Sequence, residues 1–386
     1  MLAIASTVMR RFSLRRHAAA FALALLPATL WAQAPIQITP LPEAKHATVT
    51  QLGASDLDVR NLQPWLDAQM SGVMQQGAVT GAVVVVVKDG ELIYSKGYGY
   101  ADVEAKKPVD PATTMFRAAS VSKLFTWTAV MQLVEQGKID LDRDVNDYID
   151  FKIPATFGKP LTMKHLLTHT PGFEEVIKDL FVADSSQIVP LKTWLPTHLP
   201  KQIYPPGTTP AYSNYGATLA GYIVERVSGE PFDDYIDRHI LQPLQMPSST
   251  FRQPLPVALK PRMSQGYQKA SDSAKAFEIV AAWPAGSVAA TAENMNHWMI
   301  AHLHDGAYGD AHILKPETAR EMHAQLFTVL PTLPGMAHGF YEEPRNGHRI
   351  VGHGGDTQWF HSDMHLLLDD DVGFFVSYNS AGNGKG

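Results

Sequence analysis

Ser120 and Lys123 stand three residues apart in the run from Phe116 to Thr126, where the pattern reads as the opening of a helix. Residues at i and i+3 share a helix face, one turn apart. A serine hydroxyl becomes a nucleophile when a base lies within hydrogen-bond reach, and a partly desolvated lysine loses its proton near neutral pH and can be that base. Backbone N–H groups at a helix start also favour negative charge on a substrate carbonyl oxygen. Taken alone the motif is weak. A chain of this size holds roughly one Ser-x-x-Lys by chance, and Ser120 reads equally well as a helix N-cap.

Two other clusters carry chemistry. Tyr212, Ser213 and Asn214 follow the loop Pro206 to Pro210. A phenol beside a cationic lysine can take or return a serine proton, and the Asn214 amide can hold the lysine and a substrate amide. The plain reading is a tyrosine packed over a loop, with Asn214 opening the next helix. Gly352, His353, Gly354, Gly355 and Asp356 lie in a strand-rich region. Glycines there let a ligand approach the backbone, and an N–H on that edge can serve as an oxyanion donor. A bulge or turn accounts for them equally well.

The elements that must position these residues follow from periodicity. Leu57–Met74 has helical spacing, and Pro64 fits that helix only in its first turn, so the helix is expected to start just before Pro64. Gly81–Val87 and Leu92–Tyr94, separated by Asp89-Gly90, read as a β-hairpin. Val121–Gln136 reads as a helix stopped by Gly137. Further helices are expected at Met163–His169, Ala217–Val227, Phe232–Ile240 and Asn294–His304. Strands are expected at Arg349–Gly352, His361–Leu368 and Gly373–Tyr378. Strands at both ends with helices between predict a mixed α/β (α+β) fold: an antiparallel sheet from the two chain ends, flanked by helices, with a mainly helical region inserted.

Of the 386 residues 45% are hydrophobic, enough for a large buried core, and the net charge of −6 with no basic run after residue 20 argues against a nucleic-acid partner. The chain has no cysteine, which excludes disulfides, thiolate nucleophiles and zinc–thiolate sites. Arg10, Arg11, Arg15 and Arg16 precede the apolar stretch Ala18–Trp31, which ends in Ala32-Gln33-Ala34. Those are the parts of a secretory signal, and the stretch is short for a membrane anchor. Cleavage is expected after Ala32, because Pro35 hinders a cut after Ala34, and Met9 reads as the start. The expected organisation is a signal peptide over 1–34, a leader over 35–56 and a catalytic domain over 57–386. Within that domain the sheet part covers about 57–115 and 260–386, and the helical part about 116–259. The mature protein is expected to be periplasmic or secreted, without a stable membrane span.

The three clusters, in this order and with their surroundings (Leu166 to Gly172, Pro206 to Tyr215, Gly352 to Gly355), resemble the superfamily of serine β-lactamases, penicillin-binding proteins and class C-related esterases. The resemblance runs from about Leu57 to the C-terminus. It implies the β-lactamase-like fold and a serine hydrolase that forms an acyl-enzyme on Ser120. Lys123 and Tyr212 would move the proton, with the choice of acylation base left open. Asn214 would orient lysine and substrate, and His353, Gly354 and Gly355 would line the pocket. The N–H groups of Ser120 and Asp356 would form the oxyanion hole. No cofactor is implied, and the expected partner is a small-molecule or peptide substrate with an ester or amide bond; the oligomeric state is left open.

Two departures matter. His353 stands where β-lactamases carry a lysine, and an ordinary histidine is mostly neutral at pH 7. Attraction for carboxylate-bearing substrates is therefore expected to be weak, which favours an esterase or D-amino-acid peptidase over an efficient β-lactamase. The helix that usually follows the last strand is also missing after Ser380, which reads as a C-terminally truncated fragment. Rival readings are a metal hydrolase using His165, His169, His361 and His365, which lacks a His-Glu-x-x-His pattern, and a catalytically inactive penicillin-binding-like sensor. A Gly-x-Ser-x-Gly elbow is absent, which excludes an α/β-hydrolase.

Overall fold

The central sheet joins strands from opposite ends of the chain. In the computed structural model, which describes residues 57–383, β1 (Gly81–Lys88) and β2 (Glu91–Asp102) form a hairpin flanked by β3 (Lys107–Pro108). The late segments supply β4 (Tyr341–Glu342), β5 (Ile350–Asp356), β6 (His361–Leu367) and β7 (Val372–Tyr378). Their order is β4-β5-β6-β7-β1-β2-β3, antiparallel throughout, with Ala82 opposite Tyr378 and Lys88 opposite Val372. The expected signal peptide and leader lie outside the described residues. Among those described, no helix is long and apolar enough to cross a membrane.

Local chemistry explains the hairpin. Asp89 and Gly90 have φ of 51° and 76°, the double positive φ that a tight turn matched to strand twist demands. The valine run of β1 is buried on both faces. Val84 and Val86 pack under the first helix, α1 (Val59–Gly77), while Val83, Val85 and Val87 join the main core. α1 lays Leu62, Leu66, Met70 and Met74 on the sheet. It is pinned by Asp67, which accepts hydrogen bonds from Lys96 (2.6 Å) and Tyr98 (2.9 Å). Phe374, Val376 and Tyr378 of β7 are half-buried beneath the same helix.

The start of α1 differs from the expected one. The helix begins at Val59, capped by the Asp58 side chain on the Arg60 N–H, and Pro64 lies inside it. Proline there forfeits only the bond to the Arg60 carbonyl. Both residues are exposed, so water can replace it.

The helical part is organised by α2 (Ser122–Glu135) and α3 (Asn214–Ser228). Every α2 residue from Ser122 to Leu133 is buried, and Gly137 ends the run at φ 68°. The segment expected as one helix over 232–240 is a single α-turn, Phe232–Ile236, continued by a π-helical turn, Asp237–Leu241. On the same sheet face, away from α1, α4 (Ala292–Leu303) packs into the main core. A small sheet that the sequence pattern does not reveal joins Met115–Arg117, Ala289–Thr291 and Ser249–Thr250. Its first strand runs directly into the turn that carries Ser120.

Candidate active site

Ser120 occupies a 3-10 turn, Ala119–Val121, that leads into α2. It is therefore not the N-cap of the α-helix, a place Val121 takes. Ala119 just before it has φ 50°, a left-handed conformation that costs a non-glycine residue energy and that surrounding packing must enforce. The enforcement is visible. Ser122, fully buried, donates to the Ala119 carbonyl and accepts from the Val288 N–H at 2.9 Å, locking the turn to the small sheet.

The turn brings the predicted partners together. Lys123 Nζ lies 3.0 Å from Ser120 Oγ, and Tyr212 Oη donates to the same oxygen at 2.7 Å. Lys123 Nζ also donates to Asn214 Oδ1 and to the Ala285 carbonyl, both at 2.7 Å. These three contacts account for all the hydrogens of an ammonium. When the group is an amine, the two carbonyl-type acceptors keep its two hydrogens, and its lone pair faces the serine hydroxyl. Burial pulls the Lys123 pKa down to about 7, against the opposing charge of Glu175. At pH 7 that yields on the order of a thousand times more amine than an exposed lysine would show. Tyr212 moves the other way: burial, only partly offset by its bond to Ser120, raises its pKa far above the ordinary phenol value. It stays a neutral donor.

Tyr212 is held by the segment following Lys164. His169 accepts from the Ser213 N–H at Nδ1 (3.2 Å), its carbonyl accepts from the Ala211 N–H (2.7 Å), and its ring lies 4.6 Å from the Tyr212 ring. Gly172, at φ 79°, lets the segment turn against Tyr204: a Cβ there would lie 2.0 Å from the Tyr204 carbonyl oxygen. The run Leu166 to Gly172 thus acts as a brace. The helix expected over 163–169 ends at Leu167, so His169 lies beyond it at φ 51°, while His165 bonds back to Thr162. Among the described residues no three histidine, aspartate or glutamate side chains converge as metal ligands.

β5 closes the other side of the turn. A Cβ on Gly355 would sit 2.2 Å from the Ala118 carbonyl oxygen and 3.0 Å from the Ser120 nitrogen. Only glycine permits this approach, and it brings the strand that carries Asp356 against the Ser120 turn. Beyond it, the Glu278 carboxylate accepts from Thr357 Oγ1 and the Gln358 N–H, both at 2.6 Å, while the buried Arg117 guanidinium donates to the Glu278 carbonyl. His353 is 2% exposed. Its Nδ1 donates to the Gly354 carbonyl, and burial, followed by the Lys123 charge, lowers its pKa to about 3. It is neutral at working pH.

A cleft of about 470 Å³ opens over these groups. Ser120, Tyr212, Asn214, His353, Gly354 and Asp356 line it, whereas Gly355 is packed beneath. Ile177, Leu180, Phe181 and Val280 form an apolar wall, and Tyr341 faces it. Among the described residues no lysine or arginine lines the cleft. The aromatic residues Tyr98, Tyr100, Trp283, Trp359 and Phe360, whose types suit a pocket wall, are not among its lining.

Sequence reasoning missed Glu175 and Ala285. Glu175 Oε2 accepts from the Asn214 N–H at 3.0 Å and Oε1 from Asn214 Nδ2 at 2.7 Å. The signal for Glu175 was its place three residues after the Thr-Pro-Gly loop. Ala285 acts through its carbonyl, for which side-chain type gives no signal.

The site thus brings a serine hydroxyl, a lysine and a tyrosine into contact beside a cleft. A family model described as beta-lactamase matches residues 66–386, and the chain belongs to that family. It is similar to Protein flp of Staphylococcus aureus strain N315, 26% identical over 82% of this chain and 63% of that protein. Against Protein flp of strain MW2 it is 32% identical over 50% of this chain and 39% of that protein. The chain thus spans less than two thirds of these staphylococcal relatives. Esterase EstB of Burkholderia gladioli is 32% identical over 50% of this chain and 52% of that enzyme. Among solved structures, the octameric penicillin-binding protein homologue from Pyrococcus abyssi superposes with a TM-score of 0.71 at 26% identity, covering 83% of this chain and 74% of that one. The beta-lactamase/D-alanine carboxypeptidase from Pseudomonas syringae gives 0.71 at 20% identity, over 84% and 95%; that likeness speaks to the fold alone.

Proposed function

We propose that the protein is an exported hydrolase that acylates Ser120 with ester or amide substrates and prefers neutral ones to those bearing a carboxylate. The observation that carries the reading is the contact of Lys123 Nζ, buried beneath, and Tyr212 Oη with Ser120 Oγ, whose residue lines the cleft. Lys123, as the amine, takes the Ser120 proton while Oγ attacks the substrate carbonyl. The developing oxyanion falls to the N–H groups of Ser120 and Asp356, brought close by Gly355. Lys123 as ammonium then returns the proton through Tyr212 to the leaving alkoxide or amine. In deacylation a water takes the place of the leaving group: its proton goes to Lys123, its oxygen attacks the acyl carbonyl, and Ser120 regains its hydrogen.

The preference rests on charge. Among the described residues the lining holds Asp356 and a neutral His353 but no lysine or arginine, so a substrate carboxylate finds no partner there and meets repulsion. The apolar wall suits a short aliphatic or aromatic group. Likeness to an esterase over half the chain supports the same choice. Export rests on the basic and apolar opening of the chain.

An active-site serine probe tests the chemistry. The expected result is a covalent adduct on Ser120, absent in Ser120→Ala; an unlabelled full-length protein would favour the inactive sensor. Comparison of a short p-nitrophenyl ester with nitrocefin tests the preference. Faster turnover of nitrocefin would refute it.

A further inference from the structure

Asn214 faces two ways. Its Oδ1 accepts from Lys123, and its Nδ2 donates to Glu175. An amide can be turned around, and either end can meet a lysine that cycles between ammonium and amine. A carboxylate is an acceptor only, so Glu175 forces the NH2 end towards itself and the oxygen towards Lys123. Its second oxygen takes the Asn214 backbone N–H at the start of α3, fixing the side chain and its helix end with one group. The carboxylate also lies one amide's length from the lysine. We propose that Glu175 is a positioning residue that orients Asn214 and holds Lys123 partly as ammonium, so that it sets the pH at which Ser120 becomes a nucleophile.

The surroundings of Lys123 leave this task to Glu175. Tyr212, whose ring centre is 4.7 Å from Nζ, is neutral. His169 and His353, from the brace and from β5, are held neutral by burial. Asn214 and the Ala285 carbonyl carry no charge. Asp356 stands at the mouth with its carboxylate bonded to His361 and largely exposed to water, where its field is screened. Glu175 is the charge that acts on Lys123 beyond desolvation, and it acts to raise the lysine pKa.

The inference rests on the acyl-enzyme reading, and one experiment separates the two. The rate of Ser120 labelling by a neutral fluorophosphonate is followed from pH 5 to 9 in wild type and in Glu175→Gln, which keeps the size and one acceptor but loses the charge. In wild type the rate rises as Lys123 loses its proton. Removing the carboxylate favours the amine, so the rise moves to lower pH, by about one unit for a unit charge across one amide at an intermediate effective dielectric. Glu175→Asp, which restores the charge, moves it back at least partly. As a readout independent of rate, the Lys123 Nζ resonance in 15N-lysine-labelled protein titrates at correspondingly lower pH in Glu175→Gln. A lower rate with the same midpoint, or an unmoved lysine titration, overturns the inference while the hydrolase reading stands. Failure of folded wild type to label overturns both.

Discussion

Replacing Gly355 by alanine isolates how much the approach of β5 to the Ser120 turn contributes. The new methyl carbon would lie 2.2 Å from the Ala118 carbonyl oxygen and 3.0 Å from the Ser120 nitrogen. Ordinary contact needs about 3.5 Å, so strand and turn must separate by roughly 1 Å. Neither side yields easily. Ala118 accepts from the Val121 N–H within the turn, and Gly355 is paired with Ser362 on β6. A misplacement of that size costs roughly a hundredfold in rate, equivalent to about 2.7 kcal/mol. kcat/KM for a p-nitrophenyl ester should therefore fall about a hundredfold in Gly355→Ala, mainly through kcat. Gly72→Ala in α1 is the control, since its methyl would meet nothing within 4 Å and lies away from the cleft; its rate should stay within about threefold. A Gly355→Ala enzyme within threefold of wild type, folded by circular dichroism, would refute the role given to this contact.

Other expectations follow from named groups. Ala119→Gly relieves the left-handed backbone at φ 50° and should raise the unfolding free energy by about 0.5–1 kcal/mol; a drop in urea denaturation would contradict the strain. kcat/KM for a neutral ester should rise with pH through about 7 as Lys123 becomes an amine, and a profile flat between pH 6 and 8 would rule out that base. The buried His302–His323 pair, bonded at 3.1 Å, should weaken the fold in acid. Burial first, then Arg349 and His338, lowers the His323 pKa to about 3, whereas an unfolded histidine protonates near ~6.5. Between those values the unfolded chain binds the extra proton, so stability is complete above pH 6.5 and declines as pH falls towards 3. His323→Asn should flatten the fall of Tm across that range, and an unchanged slope would remove the pair from the account.

Much of the fold and the candidate site was legible because local rules and tertiary context agreed there. Asp89-Gly90 announced its hairpin, and Gly137 ended α2, through backbone freedom alone. The late strands were read as three because each is bounded by turn residues. Where reading failed, the deciding interaction was distant or small. Pro64 looked like a first-turn residue because the cap at Asp58 outweighed the lost bond only once α1 had a sheet to lie on. Strands of two or three residues, such as Ser249–Thr250, carry no periodicity. The serine, lysine and tyrosine motifs were visible as types, but Glu175 and the Ala285 carbonyl matter only through where α3 and the segment before the small sheet place them.

The pairing of β1 with β7 also bears on when the molecule comes into being. Thr80 and Ser380, 300 positions apart, are joined by a hydrogen bond, and both neighbours of β1 are needed to bury its valines. A ribosome that has already released the segment around Ser120 still holds a chain with no partner for its first hairpin on one side and no strand beside that serine. Such long-range closure is slow. The sheet that buries β1, and the strand that walls the Ser120 turn, are therefore complete only once the stretch around Asp356 and Tyr378 has been synthesised.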